Sequence, residues 1–121
     1  MAQRHSMAYI KVDGSLLATM PGAKLDLGGV TRTSVVGDNA VLGYAETPKP
    51  SMLECEISLG QGMSLAAMQN ITDATLTYEA DTGQTYVVRG AYVTETLGVT
   101  AGDGGKVTLK FEGQPAEEMG A

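Results

Sequence analysis

The chain has 121 residues and a formal net charge of −6, with 16 glycines, one cysteine, one histidine and no tryptophan. That length makes a single domain. One cysteine excludes an intramolecular disulfide framework and a multi-cysteine zinc site, one histidine excludes most triad chemistry, and no run of about 18 apolar residues could span a membrane. The acid excess argues against a basic nucleic-acid face. Residues Met1–Met7 read as a flexible polar leader without the apolar stretch of a secretory signal.

Ala8, Ile10 and Val12 alternate with Tyr9, Lys11 and Asp13, the period of a half-buried strand. Asp13-Gly14 supplies a hairpin turn, and Leu16–Met20 can return as a short partner. After Pro21-Gly22, Ala23, Leu25 and Leu27 alternate with Lys24 and Asp26 as another strand. From Thr31 to Ser51 the alternation dissolves among Gly37-Asp38-Asn39, Gly43 and Pro48-Lys49-Pro50. A structureless stretch of that length is uncommon in a compact domain. It carries Val35, Val36, Val41, Leu42 and Tyr44, so residues 31–51 are expected to be a long loop or hairpin packed on a neighbouring subunit.

Order returns at Met52–Leu59, with Leu53, Cys55, Ile57 and Leu59 on one face and Glu54, Glu56 and Ser58 on the other. Gly60-Gln61-Gly62 ends that strand, and Ser64 can cap a helix from Leu65 to Asn70 that turns Leu65 and Met68 to the sheet. Thr75–Ala80, the turn Asp81-Thr82-Gly83 and a return strand from Gln84 to about Thr94 form a hairpin. The return strand looks apolar on both faces, Tyr86, Val88 and Tyr92 against Val87, Ala91 and Val93, which predicts cover on both, one of them from another chain. Gly102–Gly105 is a turn, Lys106–Glu112 a last alternating strand, and residues 114–121 an acidic, mobile tail. The sum is a mainly β domain over residues 8–113. It is an antiparallel β-sandwich or partly open barrel of about seven strands with one short flanking helix.

The residues offer little catalytic chemistry. Gly102–Thr108 imitates a phosphate loop, but Thr100 replaces the first glycine, Val107 stands where Ser or Thr would meet magnesium, and a strand follows. Glu54 and Glu56 could form a carboxylate pair, yet a solvated or channel-lining strand face suits them better. Cys55 reads as a small buried hydrophobe, His5 as part of the leader, and Asn70-Ile71-Thr72 as an acceptor pattern without a secretory context. No catalytic residue, metal site or cofactor is expected, and the chain reads as a non-enzyme.

A series of short blocks in fixed order carries a resemblance. They are Ala8–Gly14, Pro21–Asp26, Gly29–Arg32, Val35–Asp38, Gly43–Pro48, Leu53–Cys55, Ile71–Thr75, Asp81–Val87, Arg89–Ala91 and Lys106–Gly113. In their order and spacing the chain resembles the phage Mu-like tail tube protein family. The resemblance implies a structural virion protein: a β-sandwich with a flanking helix, closed into hexameric rings that stack as the inner tube of a contractile tail. Implied partners are further copies of the chain, the sheath protein, a tape measure protein, a baseplate initiator and a tail terminator. Genomic DNA would pass through the lumen without specific binding, and assembly would take place in the bacterial host cytoplasm. On that reading Glu54 and Glu56, then Lys24, Asp26 and Glu79, are candidates to line the lumen. Val35, Val36, Asp38, Val41, Leu42, Tyr44, Val87 and Tyr92 are candidates for contacts between subunits or rings. The alternatives are a single-ring terminator or adaptor, a bacteriocin or type VI tube subunit, and a solitary ligand-binding β-sandwich. The last is disfavoured by the lack of tryptophan platforms.

Overall fold

A computed structural model describes residues 3–4, 7–17, 19–61, 63–102 and 104–119. Along the chain run β1 (Ala8–Val12), β2 (Ser15–Leu17), β3 (Lys24–Asp26), β4 (Gly29–Val36), β5 (Val41–Lys49) and β6 (Ser51–Ser58). Then follow α1 (Leu65–Gln69), β7 (Ala74–Ala80), β8 (Thr85–Val93), β9 (Lys106–Gly113) and β10 (Glu117–Met119). His5 and Asp103, considered above, lie outside the described residues.

Seven strands pair antiparallel in the order β2-β1-β7-β8-β9-β6-β3, and β10 adds to the part of β8 that β9 leaves open. The two ends of this order meet. Past β2 the chain crosses to β6, where Thr19 bridges Ile57 and the Met20 N–H donates to the Glu56 carbonyl at 2.7 Å. The result is the partly open barrel anticipated from the alternation.

The core follows from that alternation. On β6 and β9, Leu53 stands opposite Phe111, Cys55 opposite Leu109 and Ile57 opposite Val107, each at most 1% exposed. Ile10, Leu76, Tyr78 and Val88 complete the interior. Burying each large apolar side chain stabilises the fold by about 1.5–3 kcal/mol. The helix forms where its cap predicts: Ser64 Oγ accepts from the Ala67 N–H at 3.2 Å, and Leu65 and Met68 pack against the core.

Three expectations change. First, of the loop or hairpin expected over residues 31–51 the structure shows the hairpin, with bounds moved to 29–49: two regular strands pair along its length, and almost every residue in it is exposed. The alternation was invisible because neither face packs on this chain's core, so nothing demands that polar and apolar residues alternate. Second, β8 does not need two apolar covers along its length. Gly90 sits at φ 63°, and the register with β7 shifts so that Ala74 faces Ala91 while Leu76 faces Val88. The slip resets the side-chain phase: Val88 and Ala91 are both buried and Val93 packs on the same core. Val87 and Tyr92 are left outside. Third, the acidic end is not free chain throughout, because Glu117–Met119 pair with Thr85–Val87.

The Gly90 slip also brings β9 close. A Cβ at Gly113 would stand 2.8 Å from Val88 Cγ1 and 3.1 Å from Ala91 Cα and the Arg89 carbonyl. Gly113→Ala is therefore expected to cost about 1–3 kcal/mol through overpacking, seen as a lower urea midpoint at unchanged slope.

Candidate assembly surface

The β4–β5 hairpin is an arm that leaves the barrel. Nine extended residues in β5 make it about 30 Å long at roughly 3.3 Å per residue. Its tip turns at Gly37-Asp38-Asn39-Ala40, closed by the Gly37 N–H on the Ala40 carbonyl at 2.8 Å. Arg32 steadies one face, with its guanidinium 5.7 Å from the Tyr44 ring centroid and 4.0 Å from Glu46. Both contacts are solvent-exposed and worth a fraction of a kcal/mol to about 1 kcal/mol. Around the tip, Val36 and Val41 are each 68% exposed, Leu42 71% and Tyr44 62%. Val35 and Asp38 are exposed beside them. Six of the eight subunit-contact candidates thus share one element. An uncovered apolar cluster of this kind marks an interaction surface.

The arm is the β3–β6 ladder continued. Asp26 stands opposite Met52 and Gly29 opposite Lys49, three residues further along each strand, so no residue is gained or lost between body and arm. Between them the ladder is interrupted. Pro50 offers no N–H, and Gly28 holds φ 71° where a Cβ would meet the Pro50 and Ser51 backbone at 2.5–2.7 Å. Asp26 binds both sides of this root, accepting from the Gly28 N–H at 3.1 Å and from Lys49 Nζ at 2.8 Å. The Lys49 hydrogen bond, and then that of Gly28, hold the Asp26 carboxyl below its ordinary value of 3.8.

The outward face of β3, β6 and β9 gathers four of the five lumen candidates. Lys24 lies opposite Glu54, which lies opposite Lys110; Asp26 lies opposite Met52 and Met52 opposite Glu112; Glu56 lies opposite Thr108. Glu56 pairs with Lys106 at 3.0 Å, and Lys110 with Glu95 at 3.4 Å. The face is mixed in sign with a slight acid excess, not the uniformly acidic wall that Glu54 and Glu56 alone suggest. Glu79 is elsewhere, on β7, bridged to Lys11 of β1 at 3.0 Å. Val87 and Tyr92 are on β8, apart from the arm.

Sequence reasoning missed the anchoring role of Asp26, because its partner Lys49 is 23 residues away in the chain. It also missed Ser51, fully buried, whose Oγ donates to the Gln114 carbonyl at 2.6 Å. Cys55 is buried, and desolvation with Glu54 and Glu56 alongside pushes its thiol up to about 12. Among the described residues no three His, Cys, Asp or Glu side chains group as metal ligands, and no helix is long and apolar enough to cross a membrane.

The architecture defines the class. It overlays the anti-feeding prophage tube-terminating cap with a TM-score of 0.70, at 8% identity over all of this chain and 95% of that one. It also overlays a chain of the PVC sheath–tube complex in its extended state with a TM-score of 0.63, at 11% identity over 94% and 88% of the two chains. The fold is therefore the one these two chains share. Residues 1–118 match the phage tail tube protein family. The tail tube protein of Escherichia phage Mu is 32% identical over 107 residues, spanning 88% of this chain and 87% of that protein. The Mu-like prophage FluMu tail tube protein of Haemophilus influenzae is 35% identical over 109 residues, 90% of each. The chain belongs to the phage tail tube protein family, as a structural component of a contractile tail.

The root anchor makes a pH prediction. The folded Asp26 carboxyl titrates below 3.8, so its contribution is present above that value and lost as pH falls through the folded pKa. A carbon-detected NMR titration should place Asp26 below 3.8, and Lys49→Met should move it upward. The gap in urea midpoint between wild type and Asp26→Asn, present near pH ~6, should close in acid.

Proposed function

We propose that this chain is the major tail tube subunit: six copies close into a ring, and rings stack into the channel through which the genome passes inside a contractile sheath. The observation that carries this is the arm, which extends the ladder of the barrel into solvent and bears an apolar tip that the chain itself leaves bare. A surface on one copy that fits a different surface on the next is heterologous; it closes as a ring or extends as a filament. The arm, residues 31–51 above all, supplies the ring-to-ring contacts, and Val87 and Tyr92 contribute to neighbouring contacts from β8. Tape measure, initiator and terminator proteins set where the tube begins, how long it grows and where it ends. Assembly takes place in the host cytoplasm.

The lumen is lined by the outward face of β3, β6 and β9, with Glu54 and Glu56 at its centre and Lys24 and Asp26 beside them; Glu79 is a weaker candidate, on β7. Duplex DNA carries about one negative charge per 1.7 Å of axis. A wall with a slight acid excess, on which Lys106 and Lys110 already hold carboxylates, gives that polyanion little to grip, so it slides. A ring structure with both Glu54 and Glu56 turned outward to the sheath removes this assignment.

The fold alone also suits a single-ring terminator, since the overlay on a terminating cap is close. Filament growth separates the two. Negative-stain electron microscopy across a concentration series should show hollow tubes; rings that never stack favour the terminator. Deleting Val35–Leu42 should leave a folded subunit that forms no tubes. Tubes that persist in that variant rule out the arm as the stacking element.

A further inference from the structure

The joint at the root of the arm is built like a hinge. Leu27, Gly28 and Pro50 make no ladder pairs, and Gly28 and Gly29 both hold positive φ, 71° and 104°. Two short ladders joined through such residues are free to swing about the gap unless something else fixes them.

The C-terminal residues cross that gap. Leaving β9, the Gln114 N–H donates to the Arg89 carbonyl at 3.0 Å. The Gln114 carbonyl then accepts the Ser51 hydroxyl at 2.6 Å. Two residues on, the Ala116 N–H donates to the Leu27 carbonyl at 2.8 Å, a group the interrupted ladder would otherwise leave without a partner. Glu117–Met119 then lie along Val87–Thr85 as β10, with Glu117 3.5 Å from Arg89. One segment therefore holds both strands of the root, at Leu27 and at Ser51, and ties them to the edge of β8.

We propose that residues Gln114–Met119 are a strap that locks the direction of the arm relative to the barrel. The grip on the root is firm, since the Ser51 hydroxyl is fully buried and unpairing it carries a desolvation cost. The far end is weaker: β10 is three exposed residues, held beyond its short ladder by a side-chain hydrogen bond between Tyr86 and Glu118 and by an exposed ion pair to Arg89 that contributes little. The strap can therefore be lifted from its β10 end without unfolding the barrel, and lifting it frees the arm. The inference concerns the isolated chain; only its consequence, that the strap sets the angle at which the arm meets another subunit, rests on the tube reading.

The test places nitroxide labels at Ser34→Cys on β4 and Thr108→Cys on β9, both exposed sites. Cys55 stays unlabelled because it is buried. Pulsed dipolar electron resonance on monomers isolated by gel filtration reads the arm-to-barrel distance distribution. The intact chain should give one narrow distribution. Ala116→Pro removes the N–H that donates to the Leu27 carbonyl, at the cost of fixing φ at that residue, and truncation after Gly113 removes the whole strap. Each should roughly double the width. Circular dichroism and the urea midpoint should stay near wild type in Ala116→Pro, whereas the truncation, which also unpairs Ser51, should lower the midpoint while the chain remains folded. If the truncated chain does not fold, Ala116→Pro decides. A width unchanged in Ala116→Pro, or already broad in the intact chain, overturns the strap. Tube formation is scored separately, so a folded chain that never polymerises counts against the tube reading and leaves this result standing.

Discussion

The β3–β6 ladder fixes everything that distinguishes this chain from an ordinary small barrel. Its register runs unbroken in count from Lys24 opposite Glu54 to Val35 opposite Gly43, although the hydrogen bonds lapse at Leu27, Gly28 and Pro50. A two-stranded hairpin alone in water is marginal at best. Grown from a ladder whose strand β6 is anchored in the core on one face, it inherits its register and needs only to hold its own cross-strand pairs. The barrel is thus a platform that presents an extended element already in shape. Much of the entropy that ordering such an arm would cost on association is spent during folding instead.

The charges are arranged with the same economy. Among the described residues Lys11, Arg32, Lys49, Arg89, Lys106 and Lys110 each stand within 4.0 Å of a carboxylate. Most of these pairs are exposed and add little stability. Their larger effect is on the field outside. With a net charge of −6, cations held by their own neighbours leave an acid excess and little free positive charge among the described residues to gather phosphates. This supports a passage for DNA better than a binding site for it. Lys49 is the exception in kind, since its carboxylate partner Asp26 is structural and holds the arm's root.

What the sequence disclosed tracks how strongly burial constrains each residue. β6 was legible because Leu53, Cys55 and Ile57 must all face one core, and α1 because Ser64 is a cap with a hydrogen bond to make. β8 was misread as doubly covered because a single glycine, Gly90, changes the phase midway. Period-two counting cannot anticipate such a slip without knowing where β7 lies. The arm reads as apolar and in need of a partner, but loop and hairpin stay undecided, because with no buried face there is no alternation to read. The candidate surface was accordingly half legible. The apolar cluster from Val35 to Tyr44 was found, whereas Asp26, Ser51 and Gln114 act through partners 23 and 63 residues away. β10 escaped because Glu117-Glu118 looks like solvent-loving tail, and its strand is held by backbone groups that composition does not report.

An arm this long raises a difficulty that the sequence also answers. Two bare strand edges carrying valines and a leucine are a template for indiscriminate pairing. Here β5 contains Gly43 at φ 148° and Pro48, which has no donor, and the ladder shifts register between Val35 and Val36. Proline and bulges of this kind blunt an edge against added strands. Charged Arg32 and Glu46 lie across the middle of the arm from one another, leaving the bare apolar surface concentrated at the tip. The arm is therefore suited to be recognised by side chains at its end more than by backbone along its length. A subunit that must meet one particular surface and no other needs that distinction, because backbone edges are alike in every protein and a tip of Val36, Val41 and Leu42 is not.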